Sequence, residues 1–422
     1  MKQENLCILV VGGGGREHAL VWKLKASPRV SKIYAAPGNP GINKIAECVP
    51  IPVNEVKRLA QFAFENYVDL VVVGPEAPLS LGLSDILMRF GIPVFGPGKT
   101  AASIETSKVW AKQFMTRHQI PTADYTIFRC ADSAKRYVQS HKGPMVIKAD
   151  GLAAGKGVFI ANTRDEAEHA VDAVSSLGCG AGIIVEDCLF GDEVSFLVIT
   201  DGRHVLPLIS SKDHKRAKDG DKGENTGGMG AIAPAPGFNK SLEDRILEDI
   251  IMPAITGLSA EGRRYVGVLY AGLMLTSEGP MVLEFNARFG DPETQAVLPM
   301  MKSDLVDALE AAVKGTCDSI TLDWRDGACA CVVAASPGYP GKPSIGKEIS
   351  IDEEQAEKDG ILVFHAGTRL ERGNLVTAGG RVLNVVGVGE SRENAVNHAY
   401  KGLSHINFEG MWARRDIGRI ST

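Results

Sequence analysis

The first 120 residues alternate between short apolar runs and longer amphipathic stretches, and no other feature of the chain constrains its fold as strongly. The apolar runs predict buried strands, because each is short and is followed by glycine or proline; they lie at 6–11, 32–36, 69–73 and 93–95. The stretches between them predict helices at 16–26, 55–66, 79–90 and 100–118. Strands separated by helices in this way pack as a doubly wound parallel sheet. We therefore predict an α/β domain over residues 1–122.

The pattern changes after Pro121, where strand-like runs follow one another directly and are joined by turns that contain glycine. These runs lie at 145–148, 158–161, 183–186, 194–200, 204–210, 267–275 and 281–285, with helical stretches at 163–176 and 242–259. Neighbouring strands joined by turns indicate antiparallel sheet. We predict an α+β domain over 123–326, with a mobile lobe at about 124–190. A small β-rich carboxy-terminal domain is predicted over 327–422, from strands at 328–335, 361–370 and 381–389 and a helix at 392–405.

Composition argues against several classes of protein. The net charge of -5 and the absence of like-charge blocks give no sign of a nucleic-acid surface. The amino-terminal apolar run is too short for a signal peptide, and no segment approaches the length of a membrane span. The eight cysteines form no Cys-x-x-Cys pair, and Cys329 and Cys331 have no nearby histidine to complete a zinc site. We expect reduced thiols in a cytoplasmic protein that binds neither nucleic acid nor a membrane.

A glycine cluster, residues 12–15, separates the first predicted strand from the first predicted helix. Backbone N–H groups at a helix amino terminus bind anions, and glycines let a phosphate approach closely. Gly12 and Gly14 match the first two positions of G-x-G-x-x-G, but Glu17 occupies the third, and the second strand ends without an acid for an adenosine ribose. The cluster therefore indicates a phosphate or phosphosugar cradle, or a tight strand–helix turn, rather than an NAD site.

Lys148 ends a predicted strand and is followed by a loop of small residues, 151–157, that carries Lys156. Such a hairpin can fold over a polyphosphate and neutralise it. Its spacing is one residue short of a Walker A loop and lacks the Ser or Thr, so it belongs to a different nucleotide architecture or is an ordinary flexible hairpin. Downstream, Glu186 and Glu193 could meet an adenine edge and a ribose, although strand-turn-strand units with acids are common.

Glu284 and Asn286 are two residues apart on a predicted strand, so their side chains point to the same face. A carboxylate beside an amide oxygen suits Mg²⁺, which fills the rest of its octahedron with phosphates and water. Arg288, Asp291 and Glu293 follow at once. The pair alone could be decoration of a charged strand end, but the whole run indicates a site.

Taken in order, these elements resemble an ATP-grasp ligase, and in particular the phosphoribosylamine–glycine ligase family. Six motifs carry the closer resemblance, at residues 12–18, 37–39, 74–79, 213–216, 225–230 and 288–293, and it extends to residues 415–418. The Arg-Phe-Gly-Asp-Pro-Glu motif at 288–293 is the most specific of them. The resemblance implies a two-lobed ATP-grasp core. It also implies that ATP converts glycine to glycyl phosphate, which the amine of 5-phosphoribosylamine attacks to give glycinamide ribonucleotide, ADP and phosphate.

The resemblance also implies a role for each matched position on the nucleotide side. Lys108 and Lys148 would contact the phosphates of ATP, and the loop residues Gly155, Lys156 and Gly157 would cover them. Glu186 and Glu193 would meet the adenine and the ribose. The metal, Mg²⁺ or Mn²⁺, would be held by Glu284 and Asn286. The strand before them, 266–275, contains no acid, so we expect one well-supported ion.

On the substrate side, the implied positions form the phosphosugar and glycine parts of the cleft: Gly13, Gly14, Gly15, Arg16, Asn39, Glu76, Asp213, Lys215, Arg288 and Asp291. We expect Arg288 and Asp291 to orient the carboxylate and amine of glycine, and to form the catalytic set together with Lys148. No Ser or Cys nucleophile is needed for phosphoryl transfer, which relies on positioning and charge neutralisation.

Two alternatives remain at this stage. The chain could be another ATP-grasp carboxylate–amine ligase or a carboxylase, or a nucleotide-responsive binding protein that has lost catalysis. Loss of Lys148, Glu284, Asn286 or Arg288 would favour the last, and all four are present. We expect a monomer or a small homo-oligomer, with no further fused activity after the 415–418 motif.

Overall fold

The computed structural model describes residues 4–152, 157–177 and 182–419. Its amino-terminal part is a parallel sheet, as predicted; the strand order is β3-β2-β1-β4-β5, and the two-residue strand β3 was not predicted. The elements are β1 (Leu6–Gly12), α1 (Gly15–Lys25), β2 (Val30–Pro37), β3 (Glu47–Cys48), α2 (Val56–Glu65), β4 (Leu70–Val73), α3 (Glu76–Ser80), α4 (Leu83–Arg89), β5 (Val94–Phe95), α5 (Ser103–Thr106) and α6 (Lys108–Arg117). A short 3₁₀ turn at Ile42–Lys44 lies between β2 and β3. The glycine cluster thus joins the central strand to its helix.

Two helices predicted as continuous are each divided in two. The stretch 79–90 is broken because Gly82 has a φ of +83°, which ends α3 and begins α4. The stretch 100–118 is broken at Ser107, whose backbone is extended and whose Oγ accepts the N–H of Trp110 at 3.1 Å as the N-cap of α6. The break gives α6 a new start, so Lys108 lies in its first turn.

The lobe at about 124–190 is a small antiparallel sheet covered by two helices. Its elements are β6 (Tyr125–Phe128), α7 (Ala131–Ser140), β7 (Met145–Ala149), β8 (Val158–Ala161), α8 (Arg164–Ser176) and β9 (Ile183–Asp187), with strand order β6-β9-β7-β8. We did not predict α7; its buried Ala134 and Val138 are four residues apart and pack into the core of the lobe. The mobility of this lobe remains a prediction.

The second part of the middle domain is built on a sheet of order β11-β10-β16-β17, antiparallel throughout. Its elements are β10 (Asp192–Thr200), β11 (Val205–Pro207), β12 (Lys212–Asp213), β13 (Arg216–Lys218), β14 (Lys222–Asn225), β15 (Gly230–Ala233), α9 (Lys240–Ile246), α10 (Met252–Ala260), β16 (Gly267–Thr276), β17 (Gly279–Asn286), α11 (Glu293–Val297) and α12 (Leu305–Lys314). A π-helical turn, Leu247–Ile251, joins α9 to α10, so the predicted helix at 242–259 is continuous but irregular. The strand predicted at 204–210 is shorter than expected.

The carboxy-terminal domain is β-rich, as predicted. Its elements are β18 (Ala328–Ala335), β19 (Ile349–Ile351), α13 (Glu353–Lys358), β20 (Leu362–His365), β21 (Thr368–Glu371), β22 (Asn374–Thr377), β23 (Arg381–Gly389), α14 (Arg392–Gly402) and β24 (Ile406–Phe408). The single strand predicted at 361–370 is two strands, β20 and β21. Its main sheet has the order β12-β15-β18-β23-β20, so two strands that precede residue 327 complete it. The domain limits at 122/123 and 326/327 remain predictions.

Buried apolar residues from all parts of the chain join into large clusters, the largest of which unites β1, α1, α12 and β16. Among the described residues, no helix is both long and apolar enough to cross a membrane.

Candidate active site

Glu284 and Asn286 lie at the end of β17, opposite Gly272 and Tyr270 of β16. No irregularity of pairing separates them, so both side chains project from the same face of the sheet. The Glu284 side chain is 39% exposed and the Asn286 residue only 9%, which leaves the carboxylate at the cleft and the amide below it. The strand therefore presents two oxygen ligands to one place.

Positive charge surrounds Glu284. Lys215 Nζ lies 4.0 Å from Glu284 Oε1 and 3.3 Å from Glu193 Oε2. Burial would raise the pKa of Glu284, but Lys215, Lys148 and Lys108 together lower it. Burial likewise opposes the charge of Lys215, yet the acids around it raise its pKa. Glu284 is therefore an ionised carboxylate, as a metal ligand must be.

The two oxygens fit Mg²⁺ or Mn²⁺ only if the nucleotide completes the coordination sphere. No group of three or more His, Cys, Asp or Glu side chains that could hold a metal occurs among the described residues. An ionised carboxylate and an amide oxygen are hard ligands, and Mg²⁺ is often bound by one or two protein ligands plus phosphates and water. This donor set agrees with the predicted single ion.

Lys148 is buried near the end of β7. Its Nζ lies 2.9 Å from Glu186 Oε2 and donates to the carbonyl of Leu283 at 3.0 Å. Lys148 thus bridges the 124–190 lobe to the strand that carries Glu284. Lys108 Nζ donates to the carbonyl of Gly151 at 3.0 Å, at the start of the loop that we expected to cover the phosphates.

In that loop, Gly157 is buried beside β8, whereas Gly155 and Lys156 lie outside the described residues. Glu186 lies at the interior of the lobe and is only 3% exposed, so its carboxylate faces Lys148 rather than solvent. Glu193 begins β10 and is half exposed, 44% by side chain, beside Lys215. The residues predicted to contact the nucleotide therefore come from both antiparallel sheets of the middle domain and from α6.

Arg288 is held by acids from two other elements. Its Nη2 lies 3.1 Å from Glu105 Oε1 and donates to Asn286 Oδ1 at 3.2 Å, while its Nε lies 3.3 Å from Glu76 Oε2. Burial opposes the charge, but Glu105 and Glu76 raise the pKa of Arg288. Although Glu76 Oε2 is close to it, this buried N–H makes no hydrogen bond to any of the described residues. A carboxylate substrate could take it.

Glu105 is a residue that sequence reasoning missed. It lies in the one-turn helix α5, and its Oε2 accepts the N–H of Ala287 at 2.7 Å. Burial raises the pKa of this carboxyl group, and Arg288 opposes that effect. Nothing in the local sequence indicated the role, because the contact depends on how α5 packs against β17.

Asp291 is held by a second residue that we missed, Arg381 at the start of β23. Arg381 Nη1 donates to the carbonyls of Gly227 and Asp291 at 2.5 and 2.8 Å, and its Nη2 lies 3.4 Å from Asp291 Oδ2. Gln295 Nε2 donates to the other oxygen of Asp291 at 2.8 Å. Burial raises the pKa of Asp291, but Arg381 and Arg16 outweigh it and lower the pKa.

The glycine cluster is held in place by close packing and hydrogen bonds with neighbouring residues. A Cβ on Gly13 would lie 2.3 Å from the carbonyl oxygen of Gly38, so no larger residue fits there. The N–H of Gly14 donates to Glu17 Oε2 at 2.6 Å. Asn39 uses both amide hydrogens on the carbonyls of Gly13 and His365, each at 2.9 Å. These contacts are structural, and the substrate roles of the cluster remain predictions.

Arg16 and Gly15 connect this cluster to the 288–293 motif. Arg16 Nη1 donates to the carbonyl of Phe289 at 3.2 Å. A Cβ on Gly15 would lie 2.7 Å from the side chain of Gln295, which itself binds Asp291. The two motifs, far apart in sequence, therefore meet at one end of the cleft.

Asp213, which is half-buried, lies near enough to the buried Glu293 of the same motif to feel its charge. Asp213 Oδ1 is buried without a hydrogen-bond partner, and Glu293 Oε1 accepts from the hydroxyl of Tyr270 at 2.5 Å and of Ser195 at 3.3 Å. Burial, followed by the charge of Glu293, raises the pKa of Asp213 well above its usual range. The unpartnered oxygen of Asp213 can accept a hydrogen from an amine.

The fold and this site together define an ATP-grasp ligase: two antiparallel sheets enclose lysines on one side and a Glu-x-Asn pair on the other. Family models for phosphoribosylglycinamide synthetase match the N domain at residues 6–105, the ATP-grasp (A) domain at 106–294 and the C domain at 329–420. The chain belongs to the phosphoribosylamine–glycine ligase family.

Individual relatives agree with this assignment over nearly the whole chain. The phosphoribosylamine–glycine ligase of Caldanaerobacter subterraneus is 48% identical and covers 97% of this chain and 99% of its own length. That of a Nostoc species is 47% identical, covering 97% of this chain and 98% of its own.

Solved structures agree as well. The crystal structure of the Thermotoga maritima phosphoribosylamine–glycine ligase is 33% identical, has a TM-score of 0.85 and covers 98% of this chain and 100% of that one. A biotin carboxylase domain from Hydrogenobacter thermophilus has a TM-score of 0.72 at 18% identity, covering 98% and 92%. The second likeness shows the fold alone.

Proposed function

We propose that the cleft between the two antiparallel sheets is where this chain activates glycine with Mg-ATP and then joins it to 5-phosphoribosylamine. The enzyme is an ATP-dependent ligase of glycine and phosphoribosylamine, a step of purine biosynthesis. We assign the reaction a glycyl phosphate intermediate, because a carboxylate becomes a good acyl donor only when one of its oxygens becomes a leaving group. Attack by the amine then releases phosphate and forms the amide bond.

The observation that carries the proposal is the bridge from Lys148 to the backbone of Leu283, next to Glu284. It brings the phosphate-binding lysine of one lobe to the metal-binding strand of the other. Phosphoryl transfer depends chiefly on positioning and charge neutralisation, and both would be supplied where these groups meet.

On the nucleotide side, we assign Lys108 and Lys148 to the phosphates, with the loop that contains Gly157 above them. Gly155 and Lys156 of that loop keep the same assignment from sequence alone. Glu186 and Glu193 are assigned to the adenine and the ribose. Glu284 and Asn286 would hold Mg²⁺, whose chemistry is to bridge and neutralise phosphate oxygens.

On the substrate side, we assign the glycine carboxylate to Arg288, since its buried Nε–H makes no hydrogen bond within the described part of the chain. The amine of glycine is assigned to Asp291, the lowered pKa of which keeps it an acceptor. The phosphosugar side is assigned to the remaining positions of the cleft: Gly13, Gly14, Gly15, Arg16, Asn39, Glu76, Asp213 and Lys215.

An assay of the complete reaction tests the proposed function. The purified protein is expected to release ADP and phosphate only when glycine, phosphoribosylamine and Mg-ATP are all present, and to form glycinamide ribonucleotide in equal amount. Formation of AMP, or equal turnover with other amino acids, would contradict the assignment. Turnover with bicarbonate in place of glycine would favour a carboxylase, the alternative within the same fold.

Three further expectations stay proposals. We propose that the enzyme acts in the cytoplasm, as a monomer or small homo-oligomer, and that it binds no nucleic acid or membrane. The net charge of -5 supports the last point. Light scattering coupled to size-exclusion chromatography would measure the oligomeric state.

A further inference from the structure

Three charged side chains meet in a buried cluster at the base of the 124–190 lobe: Lys112, Lys148 and Glu186. Lys112 Nζ lies 3.1 Å and Lys148 Nζ 2.9 Å from the same oxygen, Glu186 Oε2. The side chains of Lys112 and Glu186 are each 3% exposed. Lys112 comes from α6 of the amino-terminal part, four residues after Lys108, and no sequence pattern singled it out.

The two oxygens of Glu186 differ sharply in their surroundings. Oε2 receives both ammonium groups, whereas Oε1 is buried and has no hydrogen-bond partner among the residues that the structure describes. Leaving a buried carboxylate oxygen without a donor is unfavourable, and native proteins avoid it. An oxygen in this state, in the cleft where the nucleotide is assigned, indicates that a ligand supplies the missing donor.

The two lysines are anchored differently. Lys112 Nζ also donates to Thr122 Oγ1 at 2.7 Å and to the carbonyl of Ala123 at 3.4 Å, both of which lie in the segment that joins α6 to β6. Lys148 has one other partner, the carbonyl of Leu283, and is the lysine assigned to the phosphates. When Lys148 turns toward a phosphate, Lys112 alone remains to balance the charge of Glu186.

We propose that Lys112 is a positioning residue for base selection, which holds the Glu186 carboxylate so that Oε1 accepts a hydrogen from the 6-amino group of adenine. The proposal rests on the assignment of adenine to Glu186. A base with a carbonyl oxygen at position 6, such as guanine, would place an acceptor against this oxygen and be rejected. Without Lys112, the carboxylate would follow Lys148 or take up a proton, and the preference for the 6-amino group would weaken.

Steady-state kinetics of Lys112→Met with two nucleotides tests the idea: ATP, and the triphosphate of purine riboside, which lacks the 6-amino group. The KM for ATP is expected to rise by about tenfold, the size expected for loss of a hydrogen bond to a charged group, and the KM for the purine analogue by less than about twofold. An equal rise with both nucleotides, or no rise with either, would overturn the proposal. Lys135→Met, which changes a partly exposed lysine of the same lobe, should change neither value.

Two further measurements cover the cases in which Lys112→Met does not fold or in which Glu186 does not contact the adenine. Because Lys112→Met leaves Glu186 with one counter-charge fewer, the Lys112→Met/Glu186→Gln pair serves as the variant that restores the charge balance if the single variant does not fold. If Lys112 acts through Glu186, this pair should show the same ratio of KM values for the two nucleotides as Glu186→Gln alone, and a different ratio would contradict the role of Lys112. The wild-type enzyme separates the two claims: equal KM values for both nucleotides would refute the adenine contact of Glu186 itself.

Discussion

The guanidinium of Arg288 is held by a carboxylate of the amino-terminal part, Glu105, at 3.1 Å, and the same carboxylate accepts the backbone N–H of Ala287 at 2.7 Å. One side chain therefore fixes both the backbone and the key cation of the 288–293 motif. Because Glu105 lies on α5, directly before the helix that carries Lys108, the geometry of the substrate end and that of the phosphate end are linked.

Glu105→Gln is expected to raise the KM for glycine by about tenfold. Without the Glu105 carboxylate the Arg288 guanidinium would shift, and it would no longer hold glycine in the reactive orientation. The same substitution should also lower the thermal unfolding temperature, since Arg288 would lose Glu105, the more buried of its two counter-charges. Kinetics at saturating ATP and thermal unfolding measure the two effects. Glu65→Gln, at an exposed position on α2, is the control, and unchanged glycine kinetics in Glu105→Gln would refute the linkage.

Glu284→Gln should reduce turnover by at least about a hundredfold while leaving the fold intact, because the amide removes the anionic metal ligand at a partly exposed position. Release of ADP and the thermal unfolding temperature are the measurements. Glu278→Gln alters an exposed residue in the turn of the same hairpin and should behave as wild type. Near-normal activity of Glu284→Gln would exclude a metal-binding role.

Arg381→Met should raise the KM for glycine by about tenfold and change that for ATP by less than about twofold, because it removes the cation that holds Asp291, the residue assigned to the amine of glycine. The same experiment asks whether the carboxy-terminal domain contributes to substrate binding. Arg369→Met, in the exposed hairpin of that domain, is the matched control. Equal increases for both substrates would point to general unfolding instead.

Gly228→Ala should be destabilising and should weaken substrate binding. Gly228 has a φ of +105°, and a Cβ there would lie 2.4 Å from Pro292 Cδ and 2.6 Å from Asp213 Oδ1. Gly262→Ala separates backbone strain from this clash, because its φ is +71° and no atom lies within 4 Å of the added carbon. We expect a cost of about 1 kcal/mol for Gly262→Ala and clearly more for Gly228→Ala in urea unfolding. If both variants lose the same free energy of unfolding, the residues around Gly228 move to accommodate the added methyl group without cost.

Three buried histidines predict a loss of stability in mild acid. Burial lowers the pKa of His18 to about 3, and those of His214 and His365 to about 4. His18 must be neutral to accept the N–H of His365 through Nδ1, at 2.8 Å. Between pH 6.5 and 4 the unfolded chain binds protons that the folded chain does not, so the free energy of unfolding falls as the pH falls.

Each of these histidines contributes up to about 1.4 kcal/mol per pH unit in that range. Urea unfolding at several pH values measures the slope, and His18→Gln should reduce the contribution of the histidines by about a third. His169→Gln, at an exposed position on α8, should leave the slope unchanged. A slope independent of His18 would contradict the burial argument.

Local sequence patterns were sufficient to predict a strand or helix when the residues of that element alone define it. Short apolar runs were enough to predict β1, β18 and β23 and to predict that the first sheet is parallel. A strand that is buried on both faces has a continuous apolar sequence, with no alternation to misread. The breaks at Gly82 and Ser107 were missed because a helical pattern on either side conceals one residue with a different backbone angle. Helix boundaries depend on such single residues.

The candidate site likewise contains residues that could be identified from sequence and residues that could not. Glu284, Asn286 and Arg288 could be selected from sequence because their spacing on one strand fixes which face they share. Glu105, Arg381 and Lys112 could not, since each acts on a residue of a distant element and its own neighbours carry no signal. Lys148 was found, but its burial against Glu186 was not foreseen.

The sequence by itself determined the family, the order of the motifs and the kinds of ligand in the cleft, because these depend on residue type and short spacing. Only the tertiary structure decided which cation balances which carboxylate: Arg288 with Glu105, Arg381 with Asp291, and Lys112 and Lys148 with Glu186. The physical reason is that the strength of an ion pair depends on distance and burial. Both quantities arise only when separate elements pack together.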